Sequence, residues 1–111
     1  MDAFGLATLE RERAATAHPY LEFLRVPALS AGLYTLEPGA TDGQSPHTED
    51  EIYVVMTGRA RITVGAEVQA VGAGSVVYVA AGIPHRFHDI VERLEIVVVF
   101  APAEGSLAGG G

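Results

Sequence analysis

The chain has 111 residues, 49% of them apolar, with 14 acidic and 7 basic side chains and a net charge of -7. That length fits one domain with a real core, and an acidic chain without a basic cluster argues against a nucleic-acid partner. All the basic residues are arginine and there is no cysteine, which excludes lysine Schiff-base chemistry, disulfides and thiolate metal sites. No apolar run approaches the roughly 18 residues of a membrane span. The opening stretch carries Asp2, Glu10 and Glu12 and no long apolar segment, so no secretory signal and a cytoplasmic location are expected.

In chain order, residues 1–24 read as an arm. Leu6, Leu9, Arg11, Arg13 and Ala14 allow a short helix with Thr8 as a candidate N-cap, and His18 before Pro19 favours extended chain. From Val26 the pattern turns to β. Ala28 to Leu36 is one expected strand, closed by Pro38-Gly39. Residues 40–46 form a loop. Glu51 to Met56 is a strand and Thr57-Gly58 a turn. Arg59 to Val64 alternates strictly, with Arg59, Arg61 and Thr63 on a wet face. Glu67 to Val71 is a short strand. Ser75 to Ala80 reads as a buried strand from its valines, Pro84 to His88 as another. Glu92-Arg93 is expected to turn into a final strand, Leu94 to Ala101. Residues 25–103 form the domain, and the Gly-rich tail 104–111 is expected to be mobile. Many short strands with frequent turn signals mean an all-β sandwich or small barrel.

The chemistry is carried by His47, Glu51 and His85. Side chains alternate faces along a strand, so positions 47 and 51 point the same way on an unbroken one. A histidine from a neighbouring strand would complete a two-His, one-carboxylate set suited to a divalent transition metal, with coordination positions left open. A carboxylate buried alone in an apolar barrel is costly, and a cation neutralises it directly. Gln44 and Ser45 are loop candidates for a fourth ligand or a substrate contact. Tyr53 and Val55 share the face of Glu51 and, with Phe87 beside His85, are candidates for the pocket wall. Arg86 and His88 alternate outward. Glu49 and Asp50 read as a solvated acidic edge. Asp89 is a candidate to orient a ligand histidine or to form a turn.

Two stretches resemble the paired motifs of the cupin family. Gly39, Ser45, His47, Glu51 and Gly58 reproduce the spacing of the first motif, G-x5-H-x-H-x3-E-x6-G. Gly74, Ala80, Gly82, His85 and Asp89 fall in the slots of the second, G-x5-P-x-G-x2-H-x3-N. This chain departs from the pattern at Ser45, Ala80 and Asp89, and the serine leaves the family's three-His, one-Glu set one imidazole short. The resemblance implies a double-stranded β-helix, or jelly-roll barrel, with a metal at its centre. It permits dioxygenase, isomerase, decarboxylase, lyase or cyclase chemistry on a small organic molecule, and does not choose among them.

The expected protein is therefore a metal-binding small cupin that holds one divalent ion (Fe, Mn, Ni or Zn) through His47, Glu51 and His85. Glu51 is also the candidate base, and an enzyme of unknown reaction is the leading reading. A non-catalytic ligand-binding or sensing module is the alternative, and an inert structural cupin a third. A homodimer is expected because the final strand is apolar on both faces, Ile96 and Val98 against Val97 and Val99, and both need cover.

Overall fold

The computed structural model describes residues 1–43 and 46–107. One helix, α1 (Leu6–Ala14), precedes six strands: β1 (Tyr20–Val26), β2 (Leu29–Leu36), β3 (Asp50–Val64), β4 (Glu67–Gly72), β5 (Val76–Val79) and β6 (His85–Ala101). All pair antiparallel in one sheet of order β1-β2-β6-β3-β4, with β5 on the same edge of β3 as β4, opposite β6.

Two expected turns are absent, and this decides the shape. β3 runs straight through Thr57-Gly58, and β6 runs through Glu92-Arg93. Both strands switch faces on the way. Glu51, Tyr53 and Val55 point inward at the start of β3, but Ala60 and Ile62 do so after the register slips between Val55 and Arg61. In β6, His85 and Phe87 are inward and then Ile90, Leu94, Ile96, Val98 and Phe100 are. The switch in β6 falls at Asp89, whose φ is +49°. Bulges of this kind bend a strand and raise its twist, so one sheet can wrap its own core. At Gly58, with φ +94°, a Cβ would sit 2.2 Å from the Arg93 carbonyl oxygen, so the two strands meet there as closely as backbone allows.

The core is one cluster that includes Tyr53, Phe87, Leu94, Ile96 and Phe100. Each such side chain contributes about 1.5–3 kcal/mol on burial. Three other expectations fail. Tyr20–Val26 is a strand paired with β2, and its first five residues fall in the stretch 1–24 read as an arm. The helix is capped by the Gly5 backbone, with Thr8 within it and no side-chain cap. β5 is largely exposed: Val76 and Tyr78 retain 65% and 60% of their surface and only Val79 is buried.

A nine-residue helix is marginal alone, and α1 docks through buried Leu9 and an ionic cluster. Arg93 bridges Glu10 and Glu37, each at 3.1 Å. Thr57 donates to the buried Glu95 carboxylate, whose pKa is raised by burial and then by nearby Glu10. Among the described residues, no helix is long and apolar enough to cross a membrane.

Candidate metal centre

His47, Glu51 and His85 come together: one ligand atom from each lies within 4.8 Å of the other two. The topology explains how residues so far apart in sequence meet. β5 runs along the edge of β3 and ends with Val79 opposite Glu51. Residues 80–84 then turn, and β6 starts at His85. His47 arrives differently from expectation. It lies ahead of β3, in irregular chain, so strand parity does not place it. Its carbonyl instead accepts from the Gly82 N–H at 2.8 Å, which ties it to the turn that delivers His85. Its ring also meets Phe100 edge-on, with centroids 4.7 Å apart.

Glu51 and His85 are buried, with side chains only 1% exposed. Nε2 of His85 lies 2.7 Å from Oε1 of Glu51. Even so, neither carboxylate oxygen nor Nε2 has a hydrogen-bond partner of acceptable direction. The other ring nitrogen, Nδ1, sits 2.8 Å from the Ile83 carbonyl oxygen. That contact suits a proton on Nδ1, the arrangement in which metal-bound histidines offer Nε2 to the ion. Burial pushes the His85 pKa down, but the Glu51 and Ile83 contacts outweigh it and the net direction is up. Stranded buried atoms of this kind carry a penalty of about 1–3 kcal/mol each. Two histidines and a carboxylate that converge, with both carboxylate oxygens and the His85 Nε2 unsatisfied, fit a divalent transition-metal ion.

The other sequence candidates are placed as follows. Tyr53 is fully buried, with ring centroids 5.9 Å from His85 and 4.9 Å from Phe87, while Val55 and Phe87 belong to the core. Gln44 and Ser45 lie outside the described residues. Asp89 contacts His88 at 3.0 Å, not a ligand histidine, and His88 also meets Thr63 at 2.7 Å. Arg86 is exposed and His88 half-buried.

Several residues at the site went unread in the sequence. A cavity of about 150 Å³ beside His47 is lined by Tyr20, Tyr34, Val98, Phe100 and Glu104. The Tyr20 hydroxyl is buried without a partner, and burial, with Glu104, Glu22 and Glu51 nearby, pushes its pKa up. Its ring lies across Gly32, where a Cβ would sit 2.1 Å from the phenol carbon Cζ. Glycine in a strand usually weakens it; here it makes room for the ring. Tyr34 donates to Asp42 at 2.7 Å, and Asp42 accepts the Phe87 N–H at 2.9 Å. A larger open groove of about 600 Å³ runs past Arg13, His18 and Glu37. Buried polar atoms of Arg13 and Thr35 lack partners beside that groove too, but the unsatisfied carboxylate and the converging His-Glu-His ligand atoms lie elsewhere, at Glu51, and make that cluster the candidate site.

Glu49 overturns the expectation of a solvated edge. It is 1% exposed and accepts from the Thr48 hydroxyl, from the Gly105 N–H at 2.6 Å and from the Leu107 N–H at 3.1 Å. Burial alone would raise its pKa. The three donors and nearby His47 reverse the sign and hold it below the ordinary glutamate range.

The fold belongs to a known class. Residues 32–100 match the cupin domain family model, and the chain belongs to the cupin family. An uncharacterized protein of Streptomyces coelicolor is 56% identical over 104 residues, covering 94% of this chain and 99% of that one. The crystal structure of TT1209 from Thermus thermophilus superposes with a TM-score of 0.76 at 23% identity, over 93% of this chain and 99% of that one. The DMSP lyase DddQ of Ruegeria pomeroyi superposes with a TM-score of 0.64 at 22% identity, over 68% of this chain and 39% of that one.

Proposed function

We propose that this cupin holds one divalent transition-metal ion through His47, Glu51 and His85 and is an enzyme acting on a small organic molecule. The observation that carries the reading is the buried Glu51 carboxylate, both of whose oxygens lack a hydrogen-bond partner. A divalent ion bound there supplies a Lewis acid able to polarise a carbonyl or acidify a bound water. The chain's own groups do the rest. The Tyr20 hydroxyl, kept protonated, is a donor for a ligand oxygen in the cavity. Val98 and Phe100 give that ligand an apolar wall, with Tyr53, Val55 and Phe87 packed behind the ligand residues. Glu51 is the base when a substrate proton comes within its reach. A space of about 150 Å³ is the size that accepts a benzene-sized molecule, so the substrate is small. The cysteine-free composition fits a cytoplasmic setting.

His47→Ala should lower bound metal from one ion per chain to a small fraction, read by mass spectrometry of protein exchanged into buffer with excess Zn(II). Full stoichiometry in the variant would sink the assignment. A sensing module is the second reading, favoured by the fact that the cavity takes only small ligands. Turnover separates the two: a sensor binds the same molecules and releases them unchanged.

The partner we propose is a second copy of the chain. On the outer face Ile52 pairs with Tyr78 and Val99, and Val54 with Val76 and Val97, so three adjacent strands present uncharged apolar rows. Exposed apolar patches mark interaction sites. In a chain of net charge -7, an uncharged face is where two copies meet without repulsion, and two-fold dimers are the commonest solution. Light scattering should give about twice the 11.6 kDa chain mass, and Ile52→Glu should give the monomer. A wild type that stays monomeric at high micromolar concentration would refute the dimer.

A further inference from the structure

The segment after β6 is tied down far more firmly than its composition suggests. Three polar side chains, from β1, from β2 and from the chain just ahead of β3, converge on its main chain. Ser30 of β2, with no exposed surface, accepts from the Glu104 N–H at 2.8 Å. Arg25 of β1 donates to the Glu104 carbonyl at 2.8 Å. Buried Glu49 takes the N–H groups of Gly105 and Leu107. Apolar packing does not account for this, because Leu107 keeps 56% of its surface exposed. What the arrangement achieves is the placement of one side chain. Glu104 Oε2 stands 3.6 Å from Nδ1 of His47, on the wall of the cavity. It is not one of the three residues whose ligand atoms converge.

We propose that residues 104–107 are a working part of the metal centre: Glu49 anchors the segment, and the segment holds Glu104 beside His47 as a positioning residue. A carboxylate next to Nδ1 favours a proton there and so presents the Nε2 lone pair to the ion, the arrangement that orients metal-bound histidines. His47 sits on irregular chain ahead of β3, so its own backbone is not set by strand pairing, and Glu104 flanks its ring at Nδ1 while Phe100 meets the ring edge-on. Burying Glu49 to bind a short polar segment then has a purpose, since its effect reaches the ion through Glu104 and His47.

The inference rests on the metal reading above. Its test measures Zn(II) affinity by competition with a chromophoric chelator for wild type, Glu104→Ala, Glu104→Gln, Glu49→Gln and the Glu49→Gln/Glu104→Ala double variant. Loss of such an orienting partner typically weakens metal binding by about tenfold or more. Glu104→Ala should show that loss, and Glu104→Gln, which keeps an acceptor oxygen, a smaller one. Glu49→Gln should weaken binding in the wild-type background and add nothing in the Glu104→Ala background, because residues acting through one another are not additive. If Glu49→Gln fails to fold, Ser30→Ala, which removes the hydroxyl holding the Glu104 amide, takes its place. The ¹⁵N shifts of the metal-free His47 ring should move toward a tautomer mixture in Glu104→Ala, a change that loss of stability alone would not cause. Wild-type affinity in Glu104→Ala, or additive effects in the double variant, overturn this proposal and leave the metal reading standing. A wild type that binds no ion overturns both.

Discussion

Replacing Glu51 with glutamine is expected to leave the metal-free protein at least as stable as wild type and to abolish its response to metal. The carboxylate is buried beside His85 with no hydrogen bond to either oxygen. In the metal-free protein it is a cost, and removing a buried charge while keeping its volume is often neutral or stabilising. On the proposed reading, the same group becomes an anionic ligand once metal is bound. An ion present at a thousand times its dissociation constant stabilises by about 4 kcal/mol, or roughly 15 °C in melting temperature for a domain of this size. Wild type should therefore melt much higher with Zn(II) than with a chelator, and Glu51→Gln should melt at one temperature in both. A variant that keeps the full metal-dependent rise would show that Glu51 is not a ligand. A large loss of stability in the metal-free variant would show that the His85 contact already satisfies the carboxylate.

Gly58→Ala should be among the most damaging single-methyl changes in the chain. Two costs coincide there. A φ of +94° is strained for any residue with a Cβ, by about 1–3 kcal/mol. The added methyl would also lie 2.2 Å from the Arg93 oxygen and 2.9 Å from that of Glu92. Those are backbone atoms of the pairing strand, so they cannot swing aside as a side chain would. A total above about 4 kcal/mol is expected, in the exceptional range for point changes. Gly74→Ala is the matched control: its φ is +93°, but nothing lies within 4 Å of the new methyl. It should show the strain alone. Urea midpoints measure both, and equal losses would mean that the close approach of β3 and β6 at Gly58 is easily relaxed.

What the sequence made legible was local or was spelled out by spacing. The strict alternation from Arg59 to Val64 reports burial on one side, and Ala60 and Ile62 are indeed buried. The motif spacing singled out His47, Glu51 and His85, which the structure clusters. The illegible parts depend on tertiary context. Thr57-Gly58 and Glu92-Arg93 carry the residues of turns, yet each is a bulge because the opposite strand is present to pair across it. Valines in β5 read as buried, but the strand lies at an edge, with Val76 and Tyr78 on the exposed apolar face proposed above to meet a second copy. Glu49 reads as solvated, because nothing near it in sequence foretells that residues 105 and 107 return to donate to it. Tyr20 and Gly32 are both unremarkable alone. Their meaning is a cross-strand contact that only the β1–β2 register creates.

The pairing of β3 with β6 also has a kinetic side. Its closed end joins Val64 to His85, and its open end joins Asp50 to Ala101. Built as a zipper, it starts where the chain distance to be closed is shortest, since closing longer loops first costs more entropy. Glu51 lies at the last-closing end and His85 at the first, and the site exists only once the bent sheet has brought one end back over the other. An ion that needs both has nothing to hold during most of folding. Its stabilisation then falls on the rate of opening, because contacts absent from the folding transition state slow unfolding and leave the folding rate alone. On the metal reading proposed above, a bound ion would act as a clasp on the finished barrel and set how long it stays closed.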